Sequence, residues 1–70
     1  MKINISNLLL AMAKERASVE DVCLKSGVSN PAFIKIKSGK QNPRPSTLGK
    51  IAKALNVSVE YLTDMGEFNE

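Results

Sequence analysis

Six cations fall between residues 29 and 56: Lys35, Lys37, Lys40, Arg44, Lys50 and Lys53, with no Asp or Glu among them. Residues 57–70 reverse the pattern, carrying Glu60, Asp64, Glu67 and Glu70 and no base. A uniformly solvated surface mixes signs, so a basic middle and an acidic end point to a polyanion partner for the middle, although the formal net charge is only +3. Other chemistry is harder to build. The chain has no histidine and one cysteine, which removes the usual general base, a disulfide framework and a four-thiolate zinc site. Without a glycine-rich phosphate loop or paired carboxylates no reaction class can be assembled. The sequence therefore predicts a non-enzyme with no cofactor, no metal and no small-molecule ligand.

Those cations need elements to position them. Seventy residues, 43% of them hydrophobic, support one small domain and are too apolar for a disordered tail. The N-terminus lacks a signal-peptide pattern, and no apolar run approaches the ~18 residues of a membrane span. A soluble, cytoplasmic protein is expected. The first helix should run from Asn4 to about Arg16, with Ile5, Leu8, Leu9 and Met12 on its inner face and Ala11 alongside. In the run Leu8, Leu9, Leu10 one leucine is left for solvent. Ser18 followed by Asp21 is a capping-box pattern that opens a second helix, with Val22 and Cys23 inward and a stop at Gly27. Ser29 can cap a third helix with Pro31 in its first turn, Phe33 and Ile36 on one face, and an end at Ser38-Gly39. After the extended loop "KQNPRP", a fourth helix from Pro45 to about Leu55 buries Leu48, Ile51, Ala52 and Leu55, with Gly49 a weak point. Ser58 can cap a short fifth helix, "VEYLT", whose Tyr61 and Leu62 close the core. The expected fold is all-α, a compact five-helix bundle spanning residues 1–63, with an acidic tail over 64–70.

Two short helices joined by a tight glycine turn, the second basic and polar on its outer side, make a helix-turn-helix over about residues 18–38. Cys23 must be small where the helices cross, and Val28, Phe33 and Ile36 must anchor the second one. Asn30, Pro31, Ile34 and Lys35 then face solvent or a DNA groove.

With "SVEDVCLKSGVSNPAFIKIKSGKQNP" followed by "TLGKIAKALNVSVEYL", the chain resembles the Cro/repressor (Xre-type) helix-turn-helix DNA-binding domains of phages and bacteria over roughly residues 5–63. The resemblance implies a lambda-repressor-like five-helix bundle, usually a dimer, with the third helix in the major groove. Carried over by position, it implies base reading by Asn30, Pro31 and Lys35. An asparagine amide suits adenine, a lysine suits guanine acceptors, and a proline offers an apolar edge to a thymine methyl. Backbone contacts implied in the same way fall on Ser38, Lys40 and Gln41. Ser29 at the helix cap is a further backbone candidate, and Arg44 beside Pro43 is placed to reach a phosphate or the minor groove. The implied partner is a palindromic double-stranded operator, bound by a homodimer acting as a cytoplasmic, nucleoid-associated transcriptional regulator, a repressor, with no membrane role.

Two positions depart from the family pattern. Where many relatives place a phosphate-clamping glutamine at the start of the second helix, this chain has Val19. Where many have an arginine paired with an acid on the second helix, it has Met12, leaving Glu20 without that partner. Dimer contacts are expected from Val59, Tyr61, Leu62, Met65 and Phe68, with Val57 nearby, because their acidic neighbours keep this end away from phosphate. The same apolar end supports the alternative reading, a small protein-interaction module such as an antitoxin or antirepressor.

Overall fold

The computed structural model describes residues 2–64. It contains four α-helices, α1 (Ile5–Glu15), α2 (Val19–Ser26), α3 (Asn30–Lys37) and α4 (Pro45–Ala54), and a 3-10 turn at Glu60–Leu62. The fifth helix of the sequence reading is thus a single 3-10 turn. Its cap signal is real, since Tyr61 N donates to Ser58 Oγ at 3.1 Å, but long-range pairing ends it at once. Thr63 is extended (φ −128°, ψ 164°) and forms an isolated antiparallel bridge with Ile3. Asn4 N donates to Leu62 O at 2.8 Å and Asp64 N to Lys2 O at 3.0 Å. The segment is held as a strand-like clasp on the N-terminus, which local periodicity does not reveal.

Each helix begins and ends for a local chemical reason. The Asn4 side chain accepts from Asn7 N at 3.0 Å to open α1. The capping box of α2 is complete: Asp21 N donates to Ser18 Oγ at 3.1 Å and Ser18 N to the Asp21 carboxylate at 2.9 Å. The backbone N–H of Ser18, then its hydroxyl, hold the Asp21 carboxyl below its ordinary pKa, with Lys25 adding a little and burial opposing. A depressed folded-state pKa means this contribution is present above the unfolded value and lost as pH falls through the folded one. Ser29 caps α3 by accepting from Ala32 N at 3.4 Å.

The C-terminal ends of α3 and α4 share a device. Gly39 (φ 82°) and Asn56 (φ 59°) are left-handed. The next amides reach back, Lys40 N to Lys35 O at 2.9 Å and Val57 N to Ala52 O at 3.0 Å, while Gly39 N reaches Ile36 O and Asn56 N reaches Lys53 O. These are Schellman motifs, which satisfy the last carbonyls of a helix and fix the direction of the chain beyond it.

The core unites Leu8, Val22, Phe33, Ile36, Leu48, Ile51, Leu55 and Leu62, each under 2% exposed. On α1 the buried residues are Leu8, Ala11 and Met12, and Leu9 is 45% exposed rather than inward. The 3-10 turn packs on α1 and tilts the buried stripe toward its own side, where Asn7 Nδ2 donates to Tyr61 O at 2.8 Å. Leu9 and Leu10 are consequently both exposed. Tyr61, expected to close the core with Leu62, stays 39% exposed. Cys23 is buried, and burial pushes its thiol pKa up, which makes it a small packing residue with little thiolate near neutral pH.

Gly49 lies inside α4, and a methyl group added there meets nothing within 4 Å. Gly49→Ala should therefore raise stability by roughly 0.5–1 kcal/mol, through helix propensity alone. Urea denaturation checks this, and a destabilised variant would mean that the glycine is needed for close packing.

Candidate nucleic-acid interface

The turn between α2 and α3 positions the site. Gly27 caps α2 at φ 80°, ψ 7°, with its N–H donating to Cys23 O at 2.8 Å. Val28 N bonds to Ser26 Oγ at 3.2 Å, and Val28 packs half-buried against the core. Phe33 and Ile36, 0% and 1% exposed, then lock one side of α3 inward. Asn30, Pro31, Ile34 and Lys35 are exposed on the other. Asn30 is not the helix cap, because Ser29 is. Its amide makes no hydrogen bond among the described residues, so both its donor and acceptor sides are open.

The loop beyond α3 folds back on the last turn of that helix. The Lys35 carbonyl accepts from Ser38 Oγ at 3.1 Å and from the backbone amides of Lys40 and Gln41 at 2.9 and 3.3 Å. This places the exposed Lys40 and Gln41 side chains just past the end of α3. It also commits the Ser38 hydroxyl proton internally, so Ser38 as it stands offers an external phosphate only lone pairs. Ser29 Oγ accepts from Ala32 N and keeps its own proton to donate.

Arg44 is the residue before α4 and makes no side-chain cap, with Pro45 opening the helix. Among the described residues no side chain caps the first turn of α4, so its N–H groups beyond Pro45 lie open to an outside acceptor beside a guanidinium. Arg44, Gln41, Thr47 and Lys50 line a cleft of about 290 Å³. The start of α2 is the opposite case: it is internally capped and carries Glu20 and Asp21 in its first turn. Val19, where the family pattern has its clamp, is half-buried against the core. Phosphate is disfavoured there on both counts.

The basic middle of the sequence divides between two faces. Lys35, Lys40 and Arg44 belong to α3 and the loop after it. Lys53 instead flanks a groove of about 400 Å³ with Lys25 of α2, and Lys50 lines both this groove and the Arg44 cleft. A charge count along the chain could not set Lys53 apart from Lys35, Lys40 and Arg44, because the division depends on how α4 packs against α2. The Schellman loop that sets Lys40 has its local signal in the glycine of "SGK".

Toward the other end, Val57 and Val59 are partly buried against the core and Leu62 is 0% exposed. Leu62 therefore has no surface to give to a partner, a correction to its expected place among the dimer contacts. Met65 and Phe68 lie outside the described residues.

The helix-turn-helix family pattern matches residues 12–62. That is well over half of the chain, which belongs to this family, in its Xre branch. Among curated proteins it is similar to an uncharacterized HTH-type transcriptional regulator of Mycobacterium tuberculosis, found in strains CDC 1551 / Oshkosh and ATCC 25618 / H37Rv. The identity to each is 42% over 45 residues, covering 64% of this chain. The match spans 32% of the length of those relatives. No solved structure matches the chain. No helix among the described residues is long and apolar enough to cross a membrane.

Proposed function

We propose that this chain binds double-stranded DNA sequence-specifically and regulates transcription, as a repressor, with α3 in the major groove. One observation carries the reading. The two inward residues of α3 are locked in the core while Asn30, Pro31 and Lys35 stand exposed on its outer side, without a side-chain partner among the described residues, directly followed by exposed Lys40, Gln41 and Arg44. Asn30 pairs with an adenine edge, Lys35 with guanine acceptors, and Pro31 lies against a thymine methyl. Lys40, Gln41, Arg44 and the Ser29 hydroxyl grip phosphates and set register. The uncapped start of α4 takes over the anchoring that Val19 cannot provide at α2. The printed description of the M. tuberculosis relatives, transcriptional regulator, supports the regulatory part.

Selection of bound duplexes from a random library tests the reading, and two variants test the division of labour. Lys35→Ala should relax preference at one base position and cost about 1–3 kcal/mol of discrimination. Lys40→Ala should weaken all sequences alike and flatten the dependence of log K on log salt by about 0.9. Identical behaviour of the two variants would abolish the distinction between reading and anchoring.

One α3 covers few base pairs, and a two-fold dimer reads half-sites about one helical turn apart. In the proposed assembly the dimer contact uses the partly exposed Val59 and Tyr61, with Met65 and Phe68, and leaves the basic face free. Sedimentation of the protein on a palindromic duplex should give two chains per duplex. One chain at saturation would eliminate the dimer.

A further inference from the structure

Ile34 is the large apolar side chain of α3 that the core leaves uncovered: it is 53% exposed, while its neighbours Phe33 and Ile36 are enclosed. At about 100° per residue it lies ~40° around the helix from Asn30 and ~60° from Pro31, with Lys35 ~40° beyond Pro31. The middle of the outward face is therefore apolar, with an amide on one edge and an ammonium on the other. A single exposed isoleucine on an idle surface needs no explanation. On a helix pressed into a groove it does, because the base edge beneath it loses water. Over a carbonyl, ring nitrogen or exocyclic amine, an isoleucine would leave a polar group without a partner. In the major groove one base carries a methyl group, and that base is thymine.

We infer that Ile34 is a specificity-determining residue that selects thymine at one position of each half-site by packing its side chain on the C5 methyl. The position lies between the bases approached by Asn30 and Lys35. The inference rests on the assignment of α3 as the reading helix and adds to it a base identity that the polar residues do not fix.

The test uses the duplex selected by the unmodified protein. Each thymine is replaced in turn by uracil, which keeps the O4 acceptor and the pairing and deletes only the methyl. At one thymine per half-site, separate from the one set against Pro31, affinity should fall roughly fourfold, the value of one buried methyl-sized group. With Ile34→Ala, whose parent side chain is half exposed, that uracil penalty should vanish; with Ile34→Val it should largely persist. With Pro31→Ala it should remain. Three results overturn the inference while leaving DNA binding intact: a selected site without thymine between the Asn30 and Lys35 positions, a uracil scan that is flat in the unmodified protein, or a penalty that survives Ile34→Ala. Failure to select any duplex overturns the DNA-binding reading and this inference together.

Discussion

Phe33→Ala should leave the chain largely unfolded at room temperature. The ring is 0% exposed, and truncating a buried phenylalanine costs about 3–5 kcal/mol in lost transfer energy and residual cavity. A domain of this size draws a net stability of about 3–5 kcal/mol from its core, and with one cysteine no internal disulfide adds to it. Cost and stability are of the same order, so the native population should collapse rather than shrink slightly. Circular dichroism with urea titration reads this directly. Phe33→Leu, a smaller change in volume and still apolar, should lose less and keep a cooperative transition. Because Phe33 lies between the outward residues Pro31 and Ile34 in sequence, the same anchor also fixes where α3 presents its outer face. A Phe33→Ala variant within about 1 kcal/mol of the parent, well short of the usual penalty, would show that α3 is not anchored through this ring.

The parts of the fold legible in the sequence are those whose cause is local. Ser18 and Asp21 lie three residues apart and satisfy each other's amides. Ser29 caps α3 and Gly27 ends α2 through bonds that stay within a few residues. Leu48, Ile51, Ala52 and Leu55 follow one helical period and are all buried. What the sequence hid depends on partners far away in the chain. Ile3 N donates to Asn42 Oδ1 across 39 positions, and Asn4 Nδ2 to Asp64 across 60. The second tie, with the Ile3–Thr63 bridge, turns the expected fifth helix into a clasp whose 3-10 turn packs on α1. The candidate site follows the same rule. The exposed set on α3 was readable because Phe33 and Ile36 announce the opposite face, whereas the separation of Lys53 from Lys40 and Arg44 needed the packing of α4 on α2.

Gly27→Val should destabilise the domain by about 2–3 kcal/mol, and the reason is torsional. Gly27 sits at φ 80°, yet a Cβ built there meets nothing within 4 Å. The penalty therefore comes from the left-handed backbone itself, which a β-branched residue tolerates worst. That predicts an order of stability set by conformational preference rather than by size. Asparagine, larger than alanine but at ease in this region, should cost less than alanine, and valine most. The chain already places an asparagine there, at Asn56 with φ 59°. Urea denaturation of Gly27→Asn, Gly27→Ala and Gly27→Val gives the ranking. Costs that rise with side-chain volume would instead indicate a crowded turn, and an unaffected Gly27→Val would mean that the backbone at Gly27 is not left-handed. The consequence extends to binding. The bond from Gly27 N to Cys23 O and this one torsion set the angle between α2 and α3, so relaxing φ swings the outward residues of α3 as a unit. Gly27→Val should therefore weaken binding to the selected duplex by more than its folded fraction accounts for, while Gly27→Asn should track its folded fraction.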